Sequence, residues 1–136
     1  MAANAAFDRG DSATAAQLYE RVVNTPPSPS ETAELRSAID GFARFRAVAS
    51  LLASDREADA REQLDALQQR DQVAPFARLA AQLYDQYGMT GQLRAACAQL
   101  RPQIESQAGP ALAALQAAGV AINPATLCGP AQGGGY

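Results

Sequence analysis

The stretch GDSATAAQLYERVVNTPP, residues 10–27, decides how the chain is read. Within it Ala15, Leu18, Tyr19, Val22 and Val23 recur at three- and four-residue spacing, which predicts a helix over 12–24 with one apolar face. Asp11 stands where an N-cap carboxylate would accept from the first free backbone N–H groups. Thr25-Pro26-Pro27 ends the helix, because proline has no N–H to donate and blocks the preceding turn. Gly10 then marks a tight turn that enters this helix from an earlier one.

Working outward, the same punctuation returns. Ser28-Pro29-Ser30-Glu31 offers a serine cap, a proline at the first helical position and a glutamate at the third. A long central helix is expected from there to Ser54, with Leu35, Ile39, Phe42, Phe45, Ala49 and Leu52 as its stripe and Gly41 tolerated within it. Asp55 marks a turn. A polar amphipathic helix follows over 57–70, with Ala60, Leu64 and Leu67 inward. Pro75 opens a helix over 75–87 that Gly88 should end, and another runs over 91–101 with Pro102 as its end or a kink. Residues 106–136 carry no charged side chain. A short helix over 111–118 with Gly119 as its C-cap is expected there, then one further turn near Asn123-Pro124, then a flexible tail over 129–136.

Counted from Gly10, the residues Ala15, Tyr19, Val22 and Pro27 fall at offsets +5, +9, +12 and +17. This pattern resembles the second half of a tetratricopeptide repeat, whose period is 34 residues. With Gly10, Asp55 and Gly88 as equivalent turns, the register continues through Ala15, Ala60 and Leu93, through Tyr19, Leu64 and Cys97, and through Val22, Leu67 and Leu100. Leu93 departs from the family, which has a small residue there. The resemblance implies an all-α, right-handed stack of helical hairpins over 1–105 with a shortened first repeat. Residues 106–128 would cap the stack, and 129–136 would form the tail.

Composition narrows the function. The chain has 136 residues, 48% of them hydrophobic but only 6% aromatic, so the core is rich in alanine and needs close helix–helix contact. Net charge is −3, with 11 basic residues, all Arg, against 14 acidic ones. That excludes the basic footprint of a nucleic-acid binder. No apolar run reaches the length of a membrane span, so membrane association is not expected. With no His and no Lys, a catalytic triad, a histidine zinc site, a Schiff base and a phosphate-binding loop are all ruled out. Asp55, Glu57 and Asp59 lack calcium-loop spacing. We therefore expect no enzyme, no metal and no cofactor. Abundant Ala, Arg, Gln and Gly is the composition of GC-rich bacterial genomes, so a bacterial source is expected by correlation.

The resemblance implies protein–protein interaction, with another protein or peptide held on a groove lined by the first helix of each repeat. Carried over by register, the partner-binding candidates are Phe42, Phe45 and Arg46, with Ala49, from the second repeat. The third repeat supplies Arg78, Gln82 and Asp85. Phe42 and Phe45 would be apolar anchors, or else core residues of the central stripe. Arg46 and Arg78 would engage carboxylate or carbonyl oxygens. Two alternatives stand beside this. The shortened first repeat could leave an apolar end that forms a homodimer or holds upstream repeats. The tail over 103–128 weakly resembles saposin-like domains, which implies a lipid-interacting bundle. Cys97 and Cys128 are either a buried free thiol and a tail residue, or a disulfide that pins the tail and places the chain in an oxidising, extracytoplasmic compartment.

Overall fold

The computed structural model describes residues 2–26, 28–68, 74–123, 126 and 127. Among them are six helices and no strand: α1 Ala2–Asp8, α2 Ser12–Asn24, α3 Ala33–Ala53, α4 Glu57–Gln68, α5 Ala74–Thr90 and α6 Leu93–Ala117. Pro27, residues 69–73, Cys128 and the expected tail over 129–136 lie outside the described residues, as does the side chain of Leu67. The all-α expectation holds.

Each helix packs on the next along the chain, and α3 also reaches α5 and α6. The turns within the three pairs α1–α2, α3–α4 and α5–α6 share a device. Gly10, Asp55 and Gly91 adopt positive φ of 84°, 59° and 72°. After α1, Gly10 N–H bonds to Phe7 C=O and Asp11 N–H to Ala6 C=O. After α3, Asp55 N–H bonds to Leu52 C=O and Arg56 N–H to Leu51 C=O. Both are Schellman ends, in which a left-handed residue lets two N–H groups satisfy the helix's last carbonyls. Gly91 closes α5 with the simpler bond from its N–H to Tyr87 C=O. All three residues border one shared cleft of about 370 Å³, so the three turns lie at the same end of the molecule.

The third turn therefore sits three residues later than the sequence predicts. Gly88 is inside α5, because nothing at Gly88 forces the chain out of helical φ, whereas Gly91 takes the left-handed conformation. With Gly91 as the turn, the residue five places on is a fully enclosed alanine in every pair: Ala15, Ala60 and Ala96. Nine places on come Tyr19, Leu64 and Leu100, all buried. Twelve places on, however, Gly91 leads to exposed Gln103, where Gly10 leads to half-buried Val22.

Two other boundaries differ. The central helix begins at Ala33, capped by Thr32, whose side chain accepts from Leu35 N–H; Ser28–Glu31 instead forms a turn. Arg36 favours this start. It donates to the carbonyls of Val22, Val23 and Thr25 at the end of α2 and pairs with Glu31 and Asp40, tying the loop across the α2–α3 junction. At the other end, α6 runs unbroken through Pro102 and Pro110, where two helices are expected, and the boundary at residue 105 falls inside it. Each proline removes one hydrogen bond to the carbonyl four residues back. Burial of Leu100, Ile104, Ala108 and Leu115 along one side holds the helix together across both defects.

The core is centred on α3, which packs against α2, α4, α5 and α6. Phe7, Tyr19, Phe42 and Phe76 form an edge-to-face chain with ring centroids 6.1, 6.3 and 6.3 Å apart, linking α1, α2, α3 and α5. Phe45 packs on Phe76 as well, with centroids 5.8 Å apart. Gly41 eases this: a Cβ there would lie 2.8 Å from the Phe76 ring, so a larger residue would force the ring or α5 to shift.

Candidate functional site

The helices bring the six sequence-predicted contact residues to two different places. Phe42, Phe45 and Arg46 are inside the core, with 1%, 1% and 0% of their surface exposed. As a surface groove for a partner, this trio is corrected by the structure: the chain's own residues cover it. Arg78, Gln82 and Asp85 lie on the accessible side of α5, with Arg78 and Asp85 exposed and Gln82 half-buried.

Among the described residues Arg46 is the largest side chain that is fully buried. Its guanidinium carbon stands 4.3 Å from the Phe7 ring centroid and 4.7 Å from that of Phe42, a double cation–π sandwich. Nη1 donates to Asn4 Oδ1 at 3.1 Å and to the Tyr19 hydroxyl at 3.0 Å. Nη2 donates to Thr126 C=O at 2.9 Å and Nε to Leu127 C=O at 3.3 Å. Arg46 thus binds carbonyl oxygens, as its chemistry suggests, but they belong to the C-terminal segment of the same chain. Burying a cation is costly unless it is well bonded, and here two π faces and four acceptors compensate it.

The segment after α6 is held at both ends. Gly119, at φ 90°, turns the chain in a third Schellman end, with Val120 N–H bonded to Leu115 C=O. Asn4 Nδ2 then donates to Ala121 C=O at 3.0 Å, and Thr126 Oγ1 donates to Asp8 Oδ1 at 2.6 Å. Ile122 and Leu127 are buried against the core. Tyr19 donates to Asn4 Oδ1 within the same network. Burial pushes the Tyr19 phenol up to about 12, and the nearby Arg46 charge and its hydrogen bond only partly oppose this. The face made by α1 and α3 is therefore filled from within. Sequence reasoning missed Asn4, Asp8 and Thr126, whose partners are more than a hundred residues away for Asn4 and Asp8 and leave no local signal.

The second place is a cleft of about 280 Å³ between α5 and α6, lined by Gln82, Asp85, Gln86, Met89, Gln99, Leu100 and Gln103. Gln82 Oε1 is buried and has no hydrogen-bond partner. Met89 is 73% exposed, the one large hydrophobic side chain so exposed among the described residues. Near the turns, Tyr87 donates to Asp55 Oδ1 at 3.5 Å, and burial with the Asp55 and Glu57 charges raises the Tyr87 phenol. Cys97, half-buried on α6, is disulfide-bonded; Cys128, its expected partner, lies outside the described residues. Among the described residues no helix is long and apolar enough to cross a membrane.

No family model, curated protein or solved structure matches this chain.

Proposed function

We propose that this chain is a protein–protein interaction scaffold, a right-handed tetratricopeptide-like stack serving as a module of a larger bacterial protein or assembly. The repeated offsets from Gly10, Asp55 and Gly91 to the enclosed alanines Ala15, Ala60 and Ala96 support the repeat reading. The contact surface is the α5–α6 side, where Arg78, Gln82 and Asp85 face another protein or peptide. One observation carries this choice: the Gln82 Oε1 acceptor is buried without a partner beside an open cleft. The half-buried Gln82 amide has no acceptor partner within the chain, so turning it toward the cleft breaks no internal bond and lets its oxygen accept from a donor outside.

A photo-crosslinking residue introduced at exposed Arg78 tests this. In source cells it should yield discrete protein adducts, whereas the same residue at exposed Glu62 on α4 should not. Equal labelling from both positions would remove the α5–α6 surface from consideration.

A further inference from the structure

The α5–α6 cleft has an internal order that narrows what it can hold. Gln82 and Gln86 are four residues apart on α5, and Gln99 and Gln103 are four apart on α6. On a helix that spacing stacks side chains on one face, about 6 Å apart along the axis. An extended peptide presents equivalent main-chain amides to one side every second residue, about 6.6–6.8 Å apart. The two repeats match closely over two rungs. A glutamine amide carries both an acceptor oxygen and an NH₂ donor, the same pair that a peptide unit presents. Each rung can therefore exchange two hydrogen bonds with one peptide group of a strand-like ligand.

Two further observations agree. Gln82, which lines the cleft, has no acceptor partner for its Oε1 within the chain. Asp85 adds a carboxylate at the cleft, and Met89 an exposed thioether that adapts to varied apolar side chains. We propose that the α5–α6 cleft is a glutamine ladder that binds an extended peptide segment of another protein through its main chain. Asp85 favours a basic side chain in that segment, and Met89 packs on a neighbouring apolar one. This rests on the α5–α6 contact surface proposed above and specifies its ligand.

Selection of a phage-displayed random decapeptide library on the full chain tests it, followed by synthesis of the enriched peptide and of copies methylated at single backbone nitrogens. Methylation at the central residues should weaken binding at least tenfold. Gln82→Leu and Gln103→Ala should each weaken it at least fivefold, with melting temperatures no lower than that of the unaltered chain. Asp85→Asn should reduce the preference for a basic residue. An enriched peptide that is lost with Gln82→Leu but tolerates backbone methylation would overturn the ladder and leave the contact surface standing. Enriched peptides indifferent to Gln82→Leu and Gln103→Ala, or no enrichment over the bare support, would overturn the ladder outright. In either of those cases, crosslinking from Arg78 still reports independently on the surface.

Discussion

Arg46 and Gln82 are both polar residues in the first helix of a helical pair, and their surroundings are opposite. Arg46 is sealed between two phenylalanine rings, and its donors meet Asn4, Tyr19 and two carbonyls of the C-terminal segment. Gln82 lines an open cleft, and its acceptor meets nothing. A polar group whose bonds are complete inside one chain belongs to that chain's stability. A half-buried amide with no acceptor partner inside its chain can turn toward the opening without breaking an internal bond. The contrast separates a covered face on α1 and α3 from an uncovered one on α5 and α6.

Substituting Arg46 should produce the largest effect. Arg46→Met removes the cation and leaves the Thr126 and Leu127 carbonyls buried without their Arg46 donors, while Asn4 Oδ1 keeps only Tyr19, which should cost about 3–5 kcal/mol in urea-melt stability. A loss below about 1 kcal/mol would mean that the covered face is held by apolar packing alone. Arg46→Lys keeps the charge but cannot reach four acceptors in a planar fork, so its loss should be intermediate.

Raising the pH attacks the same network through Tyr19. Its folded pKa of about 12 lies above the unfolded value of 10.0, so the neutral phenol is favoured by folding. The associated stability is complete below pH 10 and is lost as pH rises through 12. Each pKa unit corresponds to 1.36 kcal/mol, which makes the loss about 3 kcal/mol at most. Denaturation midpoints measured from pH 9 to 12 should show this slope, and Tyr19→Phe should remove the Tyr19 part of it.

Gly41→Ala tests the close approach of α3 and α5. Alanine improves helix propensity by about 1 kcal/mol, but its Cβ would stand 2.8 Å from the Phe76 ring, and overpacking costs about 1–3 kcal/mol. A net decrease of a few degrees in melting temperature is expected, and an increase would show that Phe76 yields freely.

The smallest shift should have the opposite sign. Gln82→Leu removes a buried acceptor that has no partner, so the chain should gain up to about 1 kcal/mol while losing ligand binding. A loss of stability from this substitution would show that the Gln82 amide has a structural bond, and would erase the contrast with Arg46.

Local patterns carried much of the fold. The spacing of Ala15, Tyr19 and Val22 and the cap at Asp11 were readable because helix periodicity and capping involve residues a few places apart. The turn at Gly91 was not distinguished from Gly88, since two glycines three residues apart both suit a helix end and only backbone geometry shows which is left-handed. Prolines at 102 and 110 suggested breaks that packing overrode. For the contact residues, the register placed Arg78, Gln82 and Asp85 on an accessible side but could not foresee that Phe42, Phe45 and Arg46 would be covered. Arg46 meets Thr126 and Leu127 far downstream, while Phe42 and Phe45 pack on Phe76 of α5, and an uncharged stretch such as Val120–Leu127 carries no local mark of where it will lie.

By itself the sequence determined helix type, the approximate helix order, the small residues at the tight contacts and the absence of His and Lys from any chemistry. Those properties follow from side-chain size, periodicity and titratable groups, which are local. Tertiary structure alone decided that the C-terminal segment closes over α1 and α3, that Arg46 turns inward to hold it, and that the α5–α6 cleft stays open. These outcomes depend on which distant surfaces meet and whose hydrogen bonds are thereby completed.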